Sequence, residues 1–295
     1  MADLHIIWNP VAGNGASLKA YAAVTGALDA AGVPFTAAKS AYPGHAAELA
    51  REALAAGHTR IVSLGGDGTA REVAMGVCHT EATMGIIPCG TGNDMVRPLG
   101  IPTDPLKALD IVLHGERRRM DAAMANDELF FNVAGFGFDV DVLDYTELYK
   151  KKYKNGSLAY LRGLLRAVSS LSNRKTTLSW AGGTAEYNAL MVAAANGTHI
   201  GGGMMVAPEA DPFDGTLSVC VMHDVTKGLL LTYLPRFLQG KRLNAKHVTY
   251  FHATELTAVC EPASRIQVDG EVMPGTPVTF RILPAALWIL VPKKV

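Results

Sequence analysis

The chain has 295 residues, 27 Lys and Arg balanced by 27 Asp and Glu, and a hydrophobic fraction of 49%. This length is enough for two domains, and the hydrophobic fraction excludes an intrinsically disordered protein. The neutral net charge and a pI near 7.1 argue against a general nucleic-acid binder, which would be basic throughout.

Cysteine usage and hydropathy predict the compartment. The four cysteines, Cys78, Cys89, Cys220 and Cys260, are far apart, and none lies in a CxxC pair. Dispersed thiols are typical of reduced packing residues in a cytosolic protein. Acidic Asp3 stands where a signal peptide would be basic, and no apolar run approaches the ~20 residues of a membrane span. We therefore expect a cytoplasmic protein, at most peripheral at the inner face of a membrane.

Up to about residue 115, short apolar runs alternate with alanine-rich helical patterns. The predicted strands cover 4–8, 33–38, 60–66 and 84–88, and the predicted helices cover 17–31, 45–56, 69–78 and 104–113, with a helical turn near 92–97. This alternation predicts a Rossmann-like α/β domain over residues 1–120, with a parallel sheet covered by helices. Ligands bind such sheets at the carboxyl ends of the strands.

From about residue 117, short strands separated by turn residues dominate the pattern. The predicted strands lie within 128–138, 185–197, 215–222, 255–262, 264–271 and 276–292, and two helices are predicted at 158–171 and 226–238. We expect a β-rich, sandwich-like second domain over residues 121–295. Its extreme C-terminus is a candidate to pack back onto the first domain.

Glycine-rich loops follow three strands of the first domain: NPVAGNG at 9–15, GGDGT at 65–69 and PCGTGND at 88–94. Glycines after a strand let backbone N–H groups approach phosphate oxygens, and the next helix N-terminus adds positive potential. The first loop alone is equally consistent with a tight turn, since it is neither a P-loop nor a full GxGxxG. Asp67 would repel phosphates unless a divalent cation, usually Mg²⁺, lay between them. The alternative is a helix N-cap.

Together these motifs resemble the diacylglycerol kinase catalytic family, which includes sphingosine and ceramide kinases and bacterial lipid kinases. The matching segments are NPVAGNG (9–15), GGDGTARE (65–72), PCGTGNDMVRPLGIP (88–102) and VDGE (268–271), in the family's order across nearly the whole chain. NAD kinases resemble only the GGDGT part. The resemblance implies a nucleotide site between the domains and phosphoryl transfer from ATP to the hydroxyl of diacylglycerol or a related lipid.

The resemblance also implies roles for individual residues. Those expected to bind ATP are Asn9, Pro10, Val11, Ala12, Gly13, Ser40, Gly66, Asp67, Gly68, Thr69, Ala70, Arg71, Glu72 and Thr91. Asp67, Asp94 and Asp121 would hold the catalytic Mg²⁺ directly or through water. Glu271 would be the general base, so Asp67 and Glu271 are the expected catalytic residues.

A second cation site is implied in the later domain. Asp214 would give a carboxylate, and Asp211 and Thr216 mainly backbone carbonyls. The alternative is an ordinary Asp-Gly turn between strands. The chain departs from the family at Ala12, often Ser, and at Met95, often aromatic. We expect these changes to tune substrate or nucleotide contacts without loss of catalysis.

Residues 150–175 contain basic side chains and no acid: Lys150, Lys151, Lys152, Lys154, Arg162, Arg166, Arg174 and Lys175. Within them, helical spacing places five apolar residues on one face: Leu158, Leu161, Leu165, Val168 and Leu171. A basic amphipathic helix can lie on an anionic bilayer. The alternative is a surface helix that packs on its own domain.

The leading hypothesis is thus an ATP- and Mg²⁺-dependent lipid kinase. Two alternatives stay open: a soluble small-molecule kinase of NAD-kinase type, and a non-catalytic lipid-binding regulatory module. The expected partners are ATP, a lipid substrate and, transiently, an anionic membrane surface, with no nucleic acid. A homodimer is left open.

Overall fold

The computed structural model describes residues 3–153, 156–239, 241, 243 and 246–293. Lys154 of the basic segment lies outside these residues. The chain forms two compact units. Unit 1 comprises residues 1–122, 212–215 and 283–295, and unit 2 comprises residues 123–211 and 216–282. Within the described ranges, none of the helices has both the length and the apolar character needed to cross a membrane.

Unit 1 is a parallel sheet with helices. Its strands are β1 (Leu4–Trp8), β2 (Phe35–Lys39), β3 (Arg60–Gly65) and β4 (Thr83–Pro88), and its helices are α1 (Ala16–Ala30), α2 (His45–Ala55), α3 (Asp67–Val77) and α4 (Pro105–His114). Two strands run through both units: β5 (Glu116–Ala125) and β17 (Val278–Val291). The end of β17 pairs with β4, which gives the order β17-β4-β3-β1-β2.

The central strands of unit 1 are buried along their length, as a parallel sheet with two covered faces requires. In β3, every residue from Ile61 to Gly65 is buried. The parallel register places Trp8 beside Leu64 and Gly65 beside Pro88. The loops after β1, β3 and β4 therefore begin side by side at one edge of the sheet.

Unit 2 is an antiparallel β structure with three described helices. Its strands are β6 (Glu128–Phe130), β7 (Val133–Gly137), β8 (Arg174–Trp180), β9 (Gly183–Ala195), β10 (His199–Ile200), β11 (Met204–Met205), β12 (Leu217–His223), β13 (Val248–Ala253), β14 (Glu255–Glu261), β15 (Ile266–Val268) and β16 (Glu271–Met273). The helices are α5 (Phe138–Lys150), α6 (Gly156–Ser169) and α7 (Lys227–Leu238). The strand order is β16-β15-β7-β9-β8-β14-β17, and β12 pairs with β9 and β13.

Alternating side chains of β7, β9 and β12 enter two separate hydrophobic clusters. Ala134 and Val192 belong to a cluster formed mainly by strands. Met191 and Cys220 belong to the other, which α5, α6 and α7 complete. These two layers are the sandwich-like arrangement, so the predicted α/β plus β fold class is confirmed.

The local structure differs from the prediction at several elements, since the predicted strands do not include β5, β8 or β13 and the predicted helices do not include α5. In the structure, residues 138–150 form α5, a segment for which the sequence analysis predicts no helix. Gly137 adopts φ +106° and ends β7, after which Phe138, Val142 and Thr146 form the buried face of α5. The helical turn predicted near 92–97 corresponds to hydrogen-bonded turns over 94–100, in which Arg97 N donates to Asp94 O at 3.4 Å.

The five apolar residues predicted to share one face of α6 have different environments. Three are exposed: Leu158 (39%), Leu161 (50%) and Leu165 (56%). Val168 is buried, and Leu171 packs against the hydrophobic cluster that α5, α6 and α7 complete. The buried side of α6 is formed instead by Ala159, Leu164 and Ala167.

Candidate active site

The three glycine loops of unit 1 are joined by main-chain hydrogen bonds at the carboxyl edge of the sheet. Asn9 N donates to Leu64 O (3.1 Å), and Cys89 N donates to Gly65 O (2.6 Å). The backbone approaches so closely here that side chains are excluded. A Cβ on Gly90 would lie 2.7 Å from Gly66 Cα, and a Cβ on Gly13, which has φ +59°, would overlap Cys89 O. Glycine is therefore required by packing at this edge.

Two asparagines fix the shape of the loops. Asn9 Oδ1 accepts from Val11 N (3.1 Å), and Asn9 Nδ2 donates to Thr69 Oγ1 (3.3 Å). Asn93 Oδ1 accepts from Gly90 N and Asn93 Nδ2 donates to Gly90 O, both at 2.9 Å. The first loop is thereby tied to the start of α3, and the third loop is closed on itself.

Asp67 and Asp94 are brought to the same place. Asp67 is the first residue of α3, and its Oδ1 accepts from Met95 N at 3.1 Å. Asp94, the neighbour of Met95, is buried, and its Oδ1 lies 3.5 Å from Arg97 Nε. Two carboxylates thus accompany the helix N-terminus and the glycine backbone.

Asp121 is placed beside the loop predicted to hold the second cation. Its Oδ2 accepts from Gly215 N and its Oδ1 from Ala285 N, both at 2.7 Å, and its own N–H donates to Pro212 O (2.8 Å). Asp214 and Asp211, the two aspartates of this loop, are both exposed. The Thr216 hydroxyl Oγ1 lies 3.2 Å from His252 Nδ1.

Among the described residues, no three His, Cys, Asp or Glu side chains form a group that could hold a metal ion. In the described residues, the side chains of Asp67, Asp94 and Asp121 therefore do not come together as one set of direct metal ligands. The water-mediated arrangement of the same residues stays a prediction.

The remaining predicted nucleotide residues of unit 1 have mixed surroundings. Ser40 is buried and its N–H donates to Trp8 O (2.9 Å), next to the first loop. The Glu72 carboxylate accepts from Gly44 N (2.8 Å) and Ala46 N (3.0 Å), which stabilises the beginning of α2. Arg71 is buried, whereas Val11 and Thr91 are exposed.

Glu271 lies in unit 2, in the hairpin of β15 and β16. It pairs with Val268 across a two-residue turn, in which Asp269 and Gly270 have φ +49° and +90°. Two left-handed residues characterise the type I′ turn, for which Asp-Gly is a favoured sequence. The turn leaves Glu271 exposed at the start of β16.

Sequence reasoning missed the residues that hold this hairpin. The Asp269 carboxylate accepts from three consecutive main-chain N–H groups, those of Phe131 (2.9 Å), Asn132 (3.0 Å) and Val133 (3.1 Å). Gln267 is buried, and its Oε1 accepts from Gly270 N at 2.9 Å. Only the Asp-Gly dipeptide signalled a hairpin, and nothing local indicated its partners.

A buried carboxyl group lies next to Gln267. Burial raises the pKa of Asp139 to about 6, although the Val140 N–H and the Gln267 side chain act to lower it. Asp139 lies in the first turn of α5, where the helix N-terminus favours negative charge. Desolvation nevertheless dominates at this position.

Two family models match successive parts of the chain. Residues 3–125 match the family model of the diacylglycerol kinase catalytic domain. Residues 132–291 match the model of the YegS C-terminal NAD kinase beta sandwich-like domain. A solved structure of a diacylglycerol kinase from Bacillus anthracis has a TM-score of 0.76 and 23% identity, covering 98% of this chain and 97% of that one, which indicates the same fold.

Two curated relatives support the family at the level of sequence. A probable lipid kinase YegS-like protein of Pseudomonas putida is 35% identical, over 84% of this chain and 82% of the relative. A diacylglycerol kinase of Mycobacterium tuberculosis is 30% identical, over 97% of this chain and 94% of the relative. The family predicted from the motifs is thus confirmed. The chain belongs to the diacylglycerol kinase and lipid kinase family, and it is a phosphotransferase with an alcohol acceptor.

Proposed function

We propose that this lipid kinase transfers the γ-phosphoryl group of ATP to the hydroxyl group of diacylglycerol or a related lipid, with Mg²⁺. The observation that carries the proposal is the junction of three glycine loops at one edge of unit 1, with Gly66 and Gly90 in backbone contact. Open backbone N–H groups and a helix N-terminus are suited to phosphate oxygens. In this junction α3 begins at Asp67, directly after Gly66.

The nucleotide is bound by the first loop (Asn9 to Gly13), the second loop with its helix (Gly66 to Glu72), Ser40 and Thr91. Main-chain groups of the loops contact the phosphates. Glu72 acts indirectly, because its carboxylate is already engaged with Gly44 N and Ala46 N. It thereby positions the segment that begins at Ser40.

The charge of the site supports Mg²⁺. Asp67 and Asp94 put carboxylates beside the proposed phosphate site, and anionic groups repel phosphate unless a cation lies between them. These oxygens suit a hard cation that retains several waters. Asp121, with both oxygens accepting amide hydrogen bonds, is an outer member of the network. When bound, Mg²⁺ offsets negative charge on the transferred group.

Glu271 is the general base. An alcohol is a poor nucleophile until a base accepts its proton, and an exposed carboxylate at the start of β16 is accessible to a substrate hydroxyl. The proton passes from the lipid hydroxyl to the Glu271 carboxylate as the lipid oxygen bonds to the γ-phosphorus. The bond between that phosphorus and the bridging oxygen breaks, and ADP leaves.

The loop 211–216 is the proposed second cation site, with the Asp214 carboxylate and main-chain carbonyls of Asp211 and Thr216 as ligands. Gly215 has φ +73°, which an ordinary Asp-Gly turn also requires. Measurement of bound metal in the purified protein and in Asp214→Ala distinguishes a cation site from an ordinary turn. Equal metal content would favour the turn.

The face of α6 that carries Leu161 and Leu165 is the proposed contact with an anionic bilayer. These leucines are exposed, as are Arg162 and Arg166 of the same helix and the lysines at 150–152. A leucine surface bordered by basic groups is suited to the boundary between acyl chains and anionic headgroups. This contact would bring the kinase to a lipid acceptor that lies in the bilayer.

Vesicle sedimentation tests this contact. Leu161→Ala with Leu165→Ala should weaken binding to vesicles containing phosphatidylglycerol at all salt concentrations, whereas Lys151→Gln should weaken it about 5-fold at low salt and less at high salt. Leu106→Ala, at an exposed leucine of α4, is the control and should bind normally. Normal binding by all α6 variants would contradict the assignment.

A phosphorylation assay tests the whole proposal. The purified chain, radiolabelled ATP and Mg²⁺ are supplied with diacylglycerol, sphingoid base, ceramide or polyprenol in vesicles, or with NAD in solution. We expect label in diacylglycerol or another of these lipids, with none after chelation of Mg²⁺. Label in NAD alone would support the NAD-kinase-type alternative, and no label in any acceptor would support a binding module.

A further inference from the structure

The acid-rich turn of the β15–β16 hairpin contains two carboxylates with different surroundings. Asp269 is half-buried and accepts from the N–H groups of residues 131–133, at 2.9 to 3.1 Å. Its own N–H donates to Val133 O at 3.0 Å. Glu271, two residues later, is exposed. The Asp269 oxygens are thus engaged with main-chain N–H groups, which makes this side chain an anchor of the turn, whereas the exposed Glu271 is open to a substrate.

A second anchor acts inside the turn. The Gln267 side chain is buried, and its oxygen accepts from Gly270 N at 2.9 Å. The Gln267 side chain is only 3% exposed, so the surrounding packing limits its rotation. The turn is therefore held on one side by Asp269 and on the other by Gln267.

We propose that Asp269 and Gln267 are positioning residues that fix Glu271 for proton transfer, an inference that rests on the proposed role of Glu271 as the base. The hairpin has only three residue pairs, Ile266–Met273, Gln267–Val272 and Val268–Glu271. Such a short hairpin has little stability of its own. Strand β15 is itself paired with β7, so the anchors act on the turn and on β16, which pairs only with β15 among the described strands. They therefore determine where Glu271 lies, and a displacement of ~1 Å can cost about 100-fold in rate.

Asp269→Gly separates the anchor from the turn. Glycine accepts the positive φ of position 269 without strain, so this variant keeps the turn and loses the carboxylate. Asp269→Asn also tolerates this φ and keeps one acceptor oxygen, so its loss should be smaller. Asp224→Gly is the control, because Asp224 is an exposed aspartate of unit 2 that shares the positive φ of Asp269 (+51° and +49°).

The test is a double-mutant cycle on kcat with the lipid acceptor and ATP, using Asp269→Gly and Glu271→Gln singly and together. We expect roughly 100-fold lower kcat for Asp269→Gly, an unchanged KM for ATP, and normal kcat for Asp224→Gly. In the Glu271→Gln background, Asp269→Gly should cause almost no further loss, because it acts only through Glu271. Gln267→Met should behave in the same way with a smaller effect.

The cycle separates the possible failures. Equal losses from Asp269→Gly in both backgrounds would mean a general structural role and would overturn the positioning inference. Normal kcat for Asp269→Gly beside a strongly impaired Glu271→Gln would overturn it too, while leaving the proposed base intact. Normal kcat for Glu271→Gln would refute the base itself, and with it the inference.

Hydrogen exchange gives a readout that does not depend on activity. Loss of the carboxylate acceptor should speed deuterium uptake in the peptide spanning 128–137, which contains the three donors. Uptake in β8 should not change. Unchanged uptake at 128–137 in Asp269→Gly would show that the anchor is absent in solution and would overturn the inference.

Discussion

The glycine loops of unit 1 and the acidic hairpin of unit 2 are held in place by different kinds of interaction. The loops are fixed by main chain against main chain, as between Cys89 N and Gly65 O, and by glycines that permit close approach. The hairpin is joined to the sheet by the pairing of β15 with β7, but its turn is fixed by side chains, chiefly Asp269 and Gln267, that bind backbone groups. A phosphate site needs many N–H groups in a set geometry, whereas a base needs one carboxylate at one point.

This difference predicts how each region responds to substitution. Added atoms should damage the loops, because the backbone there has no spare volume. Loss of side-chain oxygens should displace the turn of the hairpin, because the position of the turn depends on a few acceptor groups. Substitutions in each region test this difference.

Asp67→Asn should lower kcat by roughly 1,000-fold, because it removes the charge proposed to hold Mg²⁺ opposite the phosphates. The substitution retains an oxygen that can accept from Met95 N, so the third loop should stay in place. Phosphoryl transfer is measured across a Mg²⁺ titration. Asp29→Asn, on the exposed side of α1, is the control. Wild-type kcat for Asp67→Asn would refute the role of Asp67 in Mg²⁺ binding.

Gly90→Ala should raise the KM for ATP at least about 10-fold. Its Cβ would lie 2.7 Å from Gly66 Cα, so two loops must separate and the proposed phosphate groups lose their alignment. Steady-state kinetics against ATP measures the effect. In Gly26→Ala the Cβ meets open space within α1, so activity should be normal and stability should rise by ~1 kcal/mol. An unchanged KM for Gly90→Ala would mean that the junction does not bind the nucleotide.

The sequence predicted unit 1 well because its signals are local. The apolar runs of β1, β3 and β4 are buried where predicted, and each is followed directly by its glycine loop. The same local information failed for α5, where FDVDV alternates like a strand. It also failed for β5, which begins with the charged residues ERRR.

The sequence could not predict the hairpin's anchors or the exposed face of α6, because both depend on distant residues. Asp269 binds Phe131 across 138 positions of the chain, and no spacing rule connects them. On α6, a Cβ at Gly163 would lie 2.7 Å from Thr146 N, so this side of α6 packs closely against α5. That contact leaves Leu161 and Leu165 exposed, although their spacing is equally typical of a buried face.

Asp139 allows a pH test of the buried region next to Gln267. Burial raises its pKa from 3.8 to about 6, so the folded protein retains the proton over a range in which the unfolded chain releases it. The contribution of Asp139 therefore becomes less favourable as pH rises from about 4 to about 6 and is constant above. Asp139→Asn removes the ionisation, so its gain in unfolding free energy over wild type should be ~1–3 kcal/mol larger at pH 7.5 than at pH 4.

Urea unfolding at a series of pH values measures this difference, with Asp127→Asn in the exposed β5–β6 turn as the control. The control should change the free energy of unfolding by less than ~0.5 kcal/mol at every pH. If Asp139→Asn is equally destabilising at pH 4 and pH 7.5, burial places no net penalty on the ionised Asp139 carboxyl, and the predicted rise of its pKa is refuted. The stability of the buried region next to Gln267 would then depend on an acceptor group, as the position of the hairpin turn does, because Asp139→Asn replaces one carboxylate oxygen with an amide group.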